Sequence, residues 1–92
     1  MTALHYAADN GHEAVVAQLL QAKAEIQARD SNGRTALHWA AFNGKEAVVE
    51  TLLRAKADPN AVDNNGMTAA QDAEQCCHTA FANRLRQAQG SQ

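Results

Sequence analysis

Hydrophobic and polar positions along this chain follow one pattern that returns every 33 residues. The pattern starts at Thr2 and again at Thr35, and about two positions in three are identical between residues 2–34 and 35–67. A third, less regular copy starts at Thr68. Repeats of about 20–50 residues are typical of small units that cannot bury an apolar face alone and must stack on one another. The pattern therefore predicts a short solenoid.

Each copy is predicted to contain two helices. In the second copy Thr35 supplies the hydroxyl group of an N-cap, so a short helix is expected from about Ala36 to Asn43, before Gly44 breaks the chain. The apolar residues of the next helix share one face. They are Val48, Val49, Leu52 and Leu53, with Val15, Val16, Leu19 and Leu20 as counterparts in the first copy. A polar connection follows and ends in Asn-Gly, which suits a tight turn.

The residues of each copy resemble the ankyrin repeat. TALHYAA and TALHWAA, each followed by Asn-Gly, then EAVV, a Leu-Leu pair and an Ala-Asp or Ala-Glu stretch, have the order of that family's motif. The resemblance implies an all-α solenoid of helix-turn-helix units with projecting β-hairpin-like loops and a curved inner face. One domain is expected over residues 1–92. Its repeats would cover about 1–29, 30–62 and 63–89, and a tail would follow at 90–92.

Both full copies depart from the family pattern at one backbone position. Lys23 and Lys56 stand where the family usually has a glycine after the second helix. A residue other than glycine in a left-handed C-terminal cap costs on the order of 1 kcal/mol. We expect these lysines to lower the stability and to leave the fold unchanged.

The two ends of the repeat array are expected to differ. The last helix would carry a polar outer side, as a capping repeat needs, formed by Asn83, Arg84, Arg86 and Gln87. The first repeat has no such cover, and parts of Leu4, Ala8, Val16 and Leu20 are expected to face water. Either the chain is a fragment of a longer array, which we favour, or this edge is a self-association surface.

Composition and charge argue against several classes of function. A domain of 92 residues has little room for a deep catalytic cleft. The net charge is −2 with acidic and basic residues interspersed, so neither a nucleic acid nor a membrane partner is expected. No long apolar run or secretory signal is present, and a cytoplasmic or other intracellular location is expected.

No catalytic, metal or cofactor residues are predicted. The Thr-x-x-His spacing at residues 2–5 and 35–38 could suggest a nucleophile and a base, but no orienting carboxylate recurs with it. The family resemblance implies instead that these side chains fix the helix start and the neighbouring loop. Cys76, Cys77 and His78 are soft donors in a row, whereas zinc sites need ligands from separated pairs.

A protein partner is expected to bind through the inner helices and the loop tips. Trp and Tyr are enriched in interface hot spots, and Arg and Met are over-represented at interfaces. The residues assigned to this surface are Tyr6, Asp9, Arg29, Arg34, Trp39, Phe42, Asn43, Met67 and Gln75. Phe42, which replaces Asp9 of the first copy, is expected to be exposed and is the strongest functional hint.

Two other functions remain open. The repeats could be a targeting or regulatory segment of a larger enzyme, channel or effector, which a longer reading frame would reveal. They could also be an engineered scaffold with no natural partner, as the close match of the first two copies suggests. The irregular third copy argues against an idealised design.

Overall fold

A computed structural model describes residues 2–76 and 79–90 of the chain, and this part forms six helices. They are α1 (Ala3–Asp9), α2 (Glu13–Gln21), α3 (Ala36–Phe42), α4 (Glu46–Arg54), α5 (Ala69–Gln75) and α6 (Thr79–Gly90). The helices come in three pairs, which confirms the predicted all-α fold of helix-turn-helix units. Across these described ranges no residue forms a β-strand, so turn hydrogen bonds hold the loops between the pairs.

The first helices of the three pairs form one layer, and the second helices pack against it. Helix α3 lies between α1 and α5 and contacts both, and α2 packs against α4. Small side chains at the contacts between first helices allow the close approach, and the larger core residues come mostly from α3, α4 and α6. The buried alanines include Ala7, Ala8, Ala40, Ala41 and Ala73, and the larger residues include Leu37, Val48, Val49, Leu52 and Leu85.

Each first helix begins at a threonine that caps it. Thr35 Oγ1 accepts the backbone N–H of His38, and His38 Nδ1 accepts the backbone N–H of Thr35 at 3.1 Å. Because Nδ1 is an acceptor here, the ring proton lies on Nε2, which donates to the carbonyl oxygen of Met67 at 2.8 Å. The imidazole thus joins the start of α3 to the loop of the next repeat.

The first repeat contains the same arrangement, and the third contains half of it. His5 accepts from the backbone of Thr2 at 3.0 Å and donates through Nε2 to the carbonyl oxygen of Arg34 at 3.0 Å. In the third repeat Gln71 Oε1 accepts from the backbone of Thr68 at 2.9 Å. The expected role of these side chains, fixing the helix start and the neighbouring loop, is confirmed.

Helices α2 and α4 are both followed by a lysine with positive φ. The φ angle is 66° at Lys23 and 71° at Lys56. After α4, Lys56 N–H donates to the Leu53 carbonyl at 3.0 Å, and Ala57 N–H donates to the Leu52 carbonyl at 2.9 Å. This is the Schellman arrangement, in which the left-handed residue is usually glycine. The left-handed conformation expected of these two lysines is confirmed.

The first repeat is better covered than the sequence pattern suggested. Three residues that were expected to face water are buried instead: Leu4, Ala8 and Val16. The expectation was wrong because α1 and α2 pack on each other and on α3 and α4, which bury these side chains. Leu20 is half-buried, but Val15 is 44% exposed although its counterpart Val48 is buried. Val15 therefore lies on an uncovered side of α2.

Helix α6 closes the other side of the stack as predicted for a capping repeat. Among residues 82–89 of this helix, Ala82 and Leu85 are buried, and Asn83, Arg84, Arg86 and Gln87 are exposed. Arg84 Nε pairs with Glu50 Oε1 of α4 at 2.8 Å, and Arg86 pairs with Glu74 of α5. None of the described helices has the length and apolar content needed to cross a membrane.

Candidate protein-binding surface

Repeated positions of the first helices line up across the three repeats. Tyr6, Trp39 and Asp72 occupy the same position of α1, α3 and α5, and the residues three positions later form a second row. Because these helices stack and residues i and i+3 share a helix face, the two rows are neighbours. With the adjoining loop residues they form what we call the helix–loop surface. Its members are Tyr6, Asp9, Arg34, Trp39, Phe42, Asn43, Met67 and Gln75, whereas Asp72 of the first row is buried.

Arg34 lies at the centre of this surface, against two aromatic rings. Its guanidinium carbon is 5.2 Å from the centroid of Trp39 and 5.3 Å from the centroid of Phe42. Both distances are within the range of a cation–π interaction. Arg34 Nε is also 3.6 Å from Asp63 Oδ2. The rings and the carboxylate together restrict the guanidinium to one position between the second and third repeats.

Trp39 is fixed through its indole N–H, which donates to Asp30 Oδ2 at 2.9 Å. Asp30 Oδ1 accepts the backbone N–H groups of Asn32 and Arg34, each at 2.9 Å. Burial alone would raise the pKa of Asp30, but the hydrogen bonds from Arg34, Trp39 and Asn32 outweigh it and hold the pKa below its usual value. One ionised carboxylate therefore positions both the loop and the indole ring.

The aromatic residues of the helix–loop surface differ in their exposure. Phe42 is 39% exposed and Tyr6 is 57% exposed, whereas Trp39 is half-buried. The exposure expected of Phe42 is confirmed. Exposed aromatic rings on a rigid helix face can contact a partner without further ordering, so Phe42 and Tyr6 are available as contact residues.

Asp9 and Asn43 are paired with each other. Asn43 Nδ2 donates to Asp9 Oδ1, and it also donates to the carbonyl oxygen of Trp39 at 3.1 Å. Both residues are half-buried. Their polar groups join the ends of α1 and α3, and a partner that used these groups would have to compete with that link.

Arg29 joins two successive loops. Its side chain is exposed, and Nη1 donates to the carbonyl oxygen of Val62 at 2.7 Å. The same two loops are joined by Asn64, whose backbone N–H donates to the carbonyl oxygen of Asn32 at 3.0 Å. These hydrogen bonds hold successive loops in register.

Met67 and Gln75 border an open depression of about 340 Å³, which Gln71 and Glu74 complete. Met67 is half-buried and Gln75 is exposed. The depression lies between the loop of the third repeat, which supplies Met67, and α5, which supplies the other three residues. Its thioether and methylene groups offer an adaptable apolar surface with a polar rim.

Two buried carboxyl groups, Asp63 and Asp72, were missed by the sequence reasoning. Asp63 is 5% exposed and Asp72 is 3% exposed, and the Oδ2 atom of each is buried without a hydrogen-bond partner. Burial would raise the pKa of Asp63, but hydrogen bonds from the backbone of Met67 and Asn65 hold it below its usual value. Burial raises the pKa of Asp72. The signal in the sequence was an aspartate at the position of Trp39.

The histidines at the helix starts are not available for catalysis. His5 and His38 are each 1% exposed, and both ring nitrogens of each are hydrogen-bonded within the fold. In residues 2–76 and 79–90 no group of three or more His, Cys, Asp and Glu side chains could hold a metal ion. Cys76 is a half-buried free thiol, and Cys77 and His78 lie outside the described residues.

Comparison with known protein families gives a match over most of the chain. A family model described as ankyrin repeats, in three copies, matches residues 1–63. No curated protein matches the chain.

Proposed function

Because the chain belongs to the ankyrin-repeat family, whose repeats are generally protein-interaction modules, we propose that it binds a protein partner through the helix–loop surface. The observation that carries the proposal is the contact of Arg34 with the rings of Trp39 and Phe42. A guanidinium group held on two rings, one of them 39% exposed, is a rigid and mixed polar and apolar contact site. Aromatic and arginine side chains of this kind are the commonest interface hot spots.

The mechanism of binding is recognition by a preformed surface. The indole N–H of Trp39 and the guanidinium group of Arg34 already have partners in Asp30 and Asp63, so little side-chain entropy is lost when the partner arrives. An apolar side chain of the partner packs on Phe42. Met67 and the depression beside it extend the contact toward the third repeat.

The test compares two exposed apolar side chains on different faces of the protein. Phe42 and Val15 are 39% and 44% exposed, and only Phe42 belongs to the helix–loop surface. The wild-type chain, Phe42→Ala and Val15→Ala are immobilised and used to capture proteins from a cell lysate, and a captured protein is then purified for titration calorimetry. Phe42→Ala should weaken binding by about 1–2 kcal/mol, which is about 5- to 30-fold in Kd.

Thermal unfolding of the same variants is the control for folding. Phe42 is partly exposed, so Phe42→Ala should retain a folded protein, and Val15→Ala should bind the partner with wild-type affinity. The proposal would be contradicted by a partner that binds Phe42→Ala with wild-type affinity but binds Val15→Ala more weakly. It would assign recognition to α2 and the outer face of the first repeat.

A further inference from the structure

The third repeat lacks a hydrogen-bond donor that the second repeat has. In the second repeat the indole N–H of Trp39 donates to Asp30 Oδ2 at 2.9 Å. One period later Asp63 replaces Asp30 and Asp72 replaces Trp39. The third repeat therefore has a carboxyl-bearing residue at the repeat position where the second repeat has the indole donor. The Oδ2 atoms of both Asp63 and Asp72 are buried, and neither accepts a hydrogen bond from a described residue.

The surroundings of the two carboxyl groups are unequal. Asp63 Oδ1 accepts the backbone N–H groups of Asn65 at 2.8 Å and Met67 at 3.0 Å, and its Oδ2 is 3.6 Å from Arg34 Nε. These groups stabilise the ionised form of Asp63. Among the described residues no group donates to Oδ2 of Asp72, and Asp72 is only 3% exposed. Burial of an ionised carboxylate without donors is costly, so a proton is favoured on Asp72.

We propose that the buried carboxyl group of Asp72 carries a proton in the folded chain while Asp63 stays ionised, and that folding of the third repeat takes up this proton in mildly acidic solution. The neutral acid removes the repulsion between the two groups. Asp63 remains ionised and continues to hold the loop that carries Met67.

The charged groups around Asp72 are consistent with this assignment. Burial raises the pKa of Asp72 above its ordinary value of 3.8, and the charge of Asp63 raises it further, whereas His38 and Arg34 oppose the change. On α6, which also packs against α5, the charged residues are exposed and face acidic partners of their own. They are Arg84, paired with Glu50, and Arg86, paired with Glu74.

The direction of the pH effect follows from proton linkage. A carboxyl group whose pKa is higher in the folded chain binds more protons there, so the stability rises as the pH falls toward 3.8 from above. Asp30 and Asp63 have the opposite sign. Their pKa values are lowered in the folded chain, so their contribution is lost as the pH falls below 3.8. The effect of Asp72 on stability therefore appears above pH 3.8, and the effects of Asp30 and Asp63 appear below it.

The experiment follows the aspartate side-chain carboxyl carbons by NMR and measures thermal unfolding across the same pH range. In the wild-type chain the Asp72 carbon should titrate above 3.8 and the Asp63 carbon below it. The thermal midpoint should rise as the pH is lowered from neutral toward 3.8. In Asp72→Asn, which carries no ionisable group at this position, the midpoint should be higher at neutral pH, and the rise should disappear.

A matched variant separates this effect from net charge. Glu13→Gln removes the same single negative charge from an exposed position of α2, and its midpoint should follow the wild-type pH dependence. The proposal is overturned if the Asp72 carbon titrates at or below 3.8, or if Glu13→Gln abolishes the rise as fully as Asp72→Asn. The wild-type titration decides the question even if Asp72→Asn does not fold.

Discussion

Replacing Lys23 and Lys56 by glycine should stabilise the protein. Both lysines have positive φ, 66° and 71°, and both side chains are exposed. The left-handed conformation costs an L-residue about 1–2 kcal/mol. Glycine avoids this strain but loses about 0.5–1 kcal/mol more backbone entropy on folding. The expected gain is therefore about 0.5–1 kcal/mol at each site.

The two gains should add, because the lysines belong to different repeats. The double variant Lys23→Gly/Lys56→Gly is then more stable by about 1–2 kcal/mol. For a domain of this size the shift in Tm is on the order of 10 °C. Urea unfolding, followed by circular dichroism and by the fluorescence of the single tryptophan, Trp39, measures the change in the free energy of unfolding.

The control is Lys23→Ala/Lys56→Ala, which removes the same two charges and keeps a Cβ atom in the left-handed conformation. It should show little or none of the gain. If the alanine variant were as stable as the glycine variant, the effect would be due to charge and not to backbone strain. If the glycine variant had wild-type stability, the strain reasoning itself would be wrong.

Two further substitutions test how the repeats are joined. His38→Gln should be less destabilising than His38→Ala by about 1 kcal/mol, because glutamine retains the helix cap and loses only the hydrogen bond to the next loop. Urea unfolding of both variants measures the difference. Gly33→Ala should lower the stability more than Gly66→Ala. Both glycines have similar positive φ angles, but a Cβ atom at residue 33 would be 2.5 Å from Asn64 Oδ1, whereas one at residue 66 would meet nothing within 4 Å. Equal thermal midpoints for the two alanine variants would show that the loop contact is unimportant.

The features that the sequence predicted are those set by local backbone chemistry. The cap at Thr35 depends on a hydroxyl group and residues within one helical turn. The left-handed conformation of Lys56 depends on where the second helix must end, which the period of the repeat determines. Such features recur in each copy, and one copy supports the interpretation of another. The six helices follow from the same repetition.

The features that escaped prediction depend on contacts between repeats. The apolar pattern of the first repeat shows that Leu4 and Val16 lie on an apolar face, but only the stacking of α1 and α2 on α3 and α4 shows that this face is covered. Asn43 was assigned to a partner, yet its amide is engaged with Asp9. Asp72 was overlooked because its significance lies in what it replaces, and not in any motif of its own.

The hydrogen bonds of the histidine rings give the stack a direction of assembly. His5 and His38 each reach from their own repeat to the loop of the one that follows, so every such link runs from donor to acceptor along the chain. Gln71 keeps the cap, but it has no imidazole ring that could reach a following loop while the cap is made. A duplicated unit could be inserted between the first two repeats with each link intact. An extra unit joined behind the third would need Gln71→His before it could be held in the same way.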